Sequence, residues 1–175
     1  MNYLQPITTS QFNDLVKSKF NNIIDGFNNY KNFEINGNNS NTPENSIICF
    51  LSKIFETNNN EMYIDLFFNQ LSETEKNNVI NLCPVEYKKT IINIININHN
   101  EPYYKVCDKK IIPLLVSLNT HEIFFTTFFC VKIPITIWGN YNMNFPCFFN
   151  NIDSLNFYKK IASNYNLIEA VTLNN

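Results

Sequence analysis

With 175 residues, 45% of them hydrophobic, the chain has enough apolar material for one folded domain that buries about two-thirds of its unfolded surface without disulfide or metal. Its net charge is −2, arginine is absent, and lysines such as Lys17, Lys19, Lys88, Lys89, Lys109, Lys110, Lys159 and Lys160 are scattered. No basic stripe or guanidinium fork is present for phosphate, which excludes nucleic-acid binding. The most apolar stretch is interrupted by Pro113, His121, Glu122, Lys132 and Pro134, short of the roughly 20 residues of a spanning helix, which excludes a membrane protein.

In chain order, Thr8 to Gln11 has the form of a capping box. Phe12, Leu15, Val16, Phe20, Ile23 and Ile24 then recur at helical spacing until Gly26, which is expected to end the helix with Phe27 in contact beyond it. Asn28 to Asn41 is polar and reads as a mobile loop. Thr42, Pro43 and Glu44 start a second helix whose buried stripe is Ile47, Ile48, Leu51, Ile54 and Phe55. A third helix is expected over Glu61 to Leu71. Ser72 with Glu75 forms another capping box and opens a fourth, carrying Val79, Ile80 and Leu82.

Pro84 separates that helix from Tyr87 to Ile97, where Ile91, Ile94 and Ile95 favour a helix over a strand. From Tyr103 the character changes. Asparagine makes up about a fifth of the chain, yet Asn119 is its sole representative between Glu101 and Trp138. Tyr103 to Val106, Ile123 to Lys132 and Ile133 to Trp138 read as strands, while Pro113 makes Ile111 to Leu118 an edge strand or a short helix. A turn at Gly139, Asn140 and Tyr141 precedes the compact segment Phe145 to Phe149. A last helix, Ile152 to Ser163, leads through Asn164 to Asn166 to a short strand over Leu167 to Leu173.

The expected fold is therefore α+β, a single domain over 1–175. A helical N-terminal half packs on a small, mostly antiparallel sheet formed by the C-terminal half, with one late helix. The five cysteines, Cys49, Cys83, Cys107, Cys130 and Cys147, are odd in number and widely spaced, and Met1 to Phe12 lacks the pattern of a secretory signal. Reduced thiols and a cytoplasmic location follow.

No catalytic set, metal site or cofactor is expected. The cysteines and His99 and His121 lack paired ligand spacing, and Gly26, Gly37 and Gly139 build no phosphate loop. The candidate site is the aromatic and amide cluster of Trp138, Asn140, Tyr141, Asn142, Asn144 and Phe148, because Trp and Tyr give large contact area at low entropic cost. It suits a non-catalytic protein that binds another protein, such as an immunity protein or inhibitor neutralising a toxin. One alternative is a thiol-dependent hydrolase or transferase using Cys107 or Cys147 with His121. A further alternative is a carbohydrate-binding module using Trp138 and its Asn and Tyr neighbours.

Overall fold

The computed structural model describes residues 3–168. Within them, β1 (Leu4–Pro6), β2 (Lys31–Asn36), β3 (Met62–Asp65), β4 (Tyr103–Val106), β5 (Thr127–Cys130), β6 (Ile135–Trp138) and β7 (Asn144–Phe149) form one antiparallel sheet. Its spatial order is β1-β4-β3-β5-β6-β7-β2. The helices are α1 (Thr9–Leu15), α2 (Ile23–Asn29), α3 (Pro43–Thr57), α4 (Glu73–Leu82), α5 (Lys88–Ile95), α6 (Ile112–Thr120) and α7 (Ile152–Ser163). The fold is α+β. The sheet is not confined to the C-terminal half, however: β1, β2 and β3 come from the first 65 residues, and β1 and β2 are its two edges.

Three N-terminal expectations are corrected. The helix expected from Thr8 to Gly26 is two helices. The Thr8–Gln11 capping box forms, but Val16 is extended, and Asn22 caps α2 by accepting the Asp25 N–H at 3.0 Å. Gly26 lies inside α2 rather than ending it, and it is the close approach of the Phe20 and Phe148 rings that calls for glycine: a Cβ there would lie 2.7 and 2.9 Å from them. Next, the polar segment Asn28 to Asn41 holds β2 and a 3-10 turn, Gly37–Asn39, instead of a mobile loop. Its polar residues Lys31, Asn32 and Glu34 suit an edge strand, while Ile35 is buried.

The third correction is Glu61 to Leu71, which forms β3 and a 3-10 turn, Phe67–Gln70, rather than a helix. Its side chains alternate. Met62 and Ile64 enter the main core, and Tyr63 joins a second cluster on the reverse face, so period-two burial between β4 and β5 overrides the helical reading.

Elsewhere the expected helices stand. Pro43 opens α3, and Ser72 with Glu75 opens α4 through a formed capping box, although Leu82 at its end is exposed. Tyr87 to Ile97 yields α5. Pro113 sits in the first turn of α6, where a missing N–H costs nothing. The expected strand Ile123 to Lys132 contracts to β5, because the Ile123 and Phe124 N–H groups bond back to the Leu118 carbonyl at the end of α6 and Val131 and Lys132 enter a turn. The strand expected over Leu167 to Leu173 lies outside the described residues from position 169 onward.

The two faces of the sheet are covered differently. Helices α3, α6 and α7 share the main core with Ile64, Phe128, Ile137, Cys147 and Phe149. Strand alternation turns Asp65, Thr127, Phe129, Thr136, Trp138 and Phe148 to the opposite face. There α1 and α2 form a cover. Phe12 and Val16 cluster with Ile7, Tyr63 and Phe129, while Phe20 and Phe27 meet Phe148 edge-on. Between the two helices, the Ser18 carbonyl accepts the Thr136 hydroxyl and Ser18 Oγ accepts the Asn150 amide at 2.5 Å.

Candidate ligand-binding cleft

Between this cover and the sheet remains a cleft of about 830 Å³. Its floor is a row across four strands. Tyr103 of β4 stands opposite Asp65 of β3, Asp65 bonds Thr127 of β5, and Thr127 stands opposite Trp138 of β6. The β3–β5 ladder stops at the pair Ile64 and Phe128. Beyond it, the Thr127 N–H donates to Asp65 Oδ1 at 2.7 Å, so a carboxylate replaces the next backbone acceptor and is drawn into the floor.

Trp138 reaches the cleft for a related reason. The β6–β7 ladder pairs Thr136 with Phe148 and Ile137 with Cys147, and the next pair would set Trp138 opposite Pro146. Proline has no N–H to continue that ladder, and Pro146, in the interior of the sheet, marks its end. The half-buried Trp138 stacks on Phe20 of the cover, with ring centroids 5.5 Å apart and planes 12° from parallel. At the other wall, Phe12 stacks on Tyr103 at 3.8 Å and meets Phe129 edge-on at 5.0 Å. Asp25 and Tyr30, the asparagines Asn13, Asn21 and Asn29, and the rings of Phe67 and Phe125 also line it.

The electrostatics centre on Asp65. It keeps partial contact with solvent, yet protein atoms crowd it, and burial pushes its carboxyl up to about 6 while the Thr127 hydrogen bonds pull the other way. Burial, then the nearby Asp65 charge, raises the Tyr103 hydroxyl above its ordinary value. Lys19 is lowered, first by burial and then by Lys17. Its ammonium donates to the Asn13 carbonyl at 3.0 Å and stands 6.0 Å from the Phe12 centroid.

The six residues expected to form a site do not converge. Trp138 lines the cleft. Phe148 is fully buried beneath Phe20 and Phe27, whereas Tyr141 is exposed and packs edge-on against Phe125 at 4.8 Å. Asn140 is half-buried. Asn142 holds a left-handed turn, its N–H donating to Glu122 Oε1 at 3.0 Å, and the Asn144 amide donates to Glu34 at 3.0 Å. These asparagines shape the turn and the β2–β7 edge. Sequence alone does not single out Asp65, because the segment Glu61 to Leu71 around it reads as a helix. The available signal was the alternation from Met62 to Asp65, which sets a carboxylate on the less apolar face.

The thiols and His121 are apart as well. Cys107 is exposed ahead of α6 and His121 caps its far end, so the whole of that nine-residue helix, about 13 Å long at about 1.5 Å per residue, lies between them. His121 Nδ1 donates to the Ser117 carbonyl at 2.9 Å. Cys147 is fully buried in β7, where burial drives its thiol far above the ordinary range. Among the described residues, no cluster of three His, Cys, Asp or Glu side chains could hold a metal, and no helix is long and apolar enough to cross a membrane. Comparison with protein-family models, curated proteins and solved structures finds no match to this chain.

Proposed function

We propose that this protein works by binding rather than by catalysis, and that the cleft between the α1–α2 cover and the sheet is its recognition site. The observation that carries this reading is the lining: stacked aromatic walls around two half-buried carboxylates, Asp65 in the floor and Asp25 of α2, in a volume of about 830 Å³. Clefts of roughly 300–1,000 Å³ with mostly apolar walls and a few convergent polar groups are the usual form of small-ligand sites. The five unpaired cysteines fit a reducing, cytoplasmic setting. A screen of small aromatic molecules by protein-observed NMR tests the reading. Binders are expected to shift the Thr127 and Gly139 amides and the Trp138 indole N–H together. A screen at millimolar concentration that moves none of these three would reject the site.

A second reading has support of its own. Phe67 and Tyr141, 37% and 59% exposed, lie at or beside the mouth of the cleft, and such rings suit contact with a partner protein, as an immunity protein or toxin inhibitor requires. Purification of the intact chain from its native source is then expected to retain a stoichiometric protein partner. Recovery alone, or undiminished retention by a Phe67→Ser, Tyr141→Ser variant, counts against it.

A further inference from the structure

The floor of the cleft carries a charge without a counter-charge. Asp65 uses Oδ1 to accept the Thr127 N–H, and the ion pairs found among the described residues are Lys76 with Glu73 and Lys109 with Glu56. Lys19, the lysine in the lining, is tied to Asn13 and feels Lys17 and Asp14 rather than Asp65. Lys19 also demonstrates a property of the wall, since its ammonium faces the Phe12 ring at the distance limit of a cation–π contact. A carboxylate crowded by protein is costly until something neutralises it. Here the missing cation has room to enter from outside.

The geometry points to a small organic cation as the ligand: an ammonium or amidinium group pairs with Asp65, and the aromatic body that carries it lies against Trp138. This inference rests on the reading of the cleft as the binding site. Adjacent strands lie about 4.8 Å apart, so Asp65 and Trp138, with β5 between them, stand about 10 Å apart across the sheet. An arylethylamine, with its nitrogen at one end and its ring at the other, bridges that gap once the Asp65 side chain and the contact distances at both ends are added. The Tyr103 ring beside Asp65 adds a face that attracts cations. An anionic ligand would instead meet Asp65 and Asp25, and a neutral sugar would leave Asp65 uncompensated.

Phenethylamine and 2-phenylethanol share a shape and differ in charge, and Trp138 is the single tryptophan, so its emission reads occupancy of the cleft. Titration of the intact protein at neutral pH is expected to show the amine binding at least about tenfold more tightly than the alcohol. Asp65→Asn is expected to bring the two within about twofold. The amine keeps its charge from pH 7.5 to 5, whereas Asp65 takes up a proton and loses its charge, so the amine's affinity should fall about tenfold over that range. Asp25, Lys19, Tyr30 and Tyr103 also face the cleft, and Tyr63 and Lys105 lie one pleat further along the same face. A fall that persists in Asp65→Asn belongs to those groups and overturns the assignment. Equal affinity for both probes, or an amine preference retained by the variant, overturns the cation assignment while the cleft remains a binding site. Silence from both probes, while neutral aromatics from the screen still shift Trp138, has the same meaning; silence from every compound removes the site as well.

Discussion

A side chain at Gly139 would collide with Asn119 Oδ1, so glycine is required beside the one asparagine that persists in a window otherwise cleared of them. Asn119 is fully buried; its amide donates to the Leu115 carbonyl at 2.8 Å and its Oδ1 accepts the Thr126 N–H at 3.1 Å. It joins the end of α6 to the start of β5, next to Thr127 on the cleft floor. Asn119→Ala would strand a buried N–H and open a void, costing about 2–4 kcal/mol. Urea unfolding should show a lower midpoint at unchanged slope, and an unchanged midpoint would remove Asn119 from the scaffold. Asn58 acts alike, donating to Tyr158 Oη at 2.7 Å and accepting the Ile133 N–H at 2.9 Å. Asn59, Asn60, Asn142 and Asn166 hold left-handed backbone, and no glycine among the described residues does; asparagine here takes the place of glycine. Asp65 has the opposite economy. Its pKa rises from an ordinary 3.8 to about 6 on folding, so its penalty is absent below about pH 4, grows through pH 6 and is complete above it. Asp65→Asn keeps an acceptor for Thr127 and should gain about 1–3 kcal/mol at pH 8 but nothing at pH 4. Denaturant curves at the two pH values check this, and a variant less stable than the parent at pH 8 would contradict it.

At the scale of elements, the cover and the cleft meet in α2. Alanine favours a helix interior over glycine by about 1 kcal/mol, yet a methyl at Gly26 would press into Phe20 and Phe148. Gly26→Ala is therefore expected to lose about 1–2 kcal/mol net and to change Trp138 emission, since Phe20 stacks on Trp138. A stabilised variant with unaltered emission would mean that the contact is loose. This close approach is invisible in sequence, where a glycine after an apolar run looks like a helix end. The helices with their own start signals were legible: the boxes at Thr8 and Ser72, and Pro43 at the head of α3. What could not be read was set by distant partners. The residues Lys31 to Asn36 look like loop until Phe145 to Phe149 lies beside them, and β3 looks helical until β4 and β5 enclose it. The site followed the same rule. Trp138 was identifiable by type, but its partner Asp65 lies more than seventy positions earlier and meets it only through sheet register.

Across the whole molecule, stability is unevenly distributed. The main core runs from α3 through the sheet to α7, whereas the cover rests on a small cluster around Phe12 and Phe129 and on the Phe20 and Phe27 contacts. Regions with few buried apolar contacts open at lower free energy than the global transition. Amide hydrogen exchange should therefore be faster in α1 and α2 than in β3, β5 and α6. Phe12→Ala should accelerate α1 further while leaving α6 unchanged; uniform exchange across both layers would show that cover and core open as one unit. The cover nonetheless has little freedom at its ends, because β1 precedes it at one edge of the sheet and β2 follows it at the other. That arrangement imposes an order on synthesis. Leu4 pairs with Val106 and Lys31 with Phe149, so at about 5–20 residues per second the first strand leaves the ribosome roughly 5–20 s before its sole neighbour. Stalled nascent chains should show Leu4–Pro6 sensitive to protease until β4 has emerged and Lys31–Asn36 sensitive until β7 has, and earlier protection would refute this order. Throughout that wait the leading segment must remain unpaired without aggregating, a task for which asparagine, a poor strand former, is better suited than the apolar residues that later close around it.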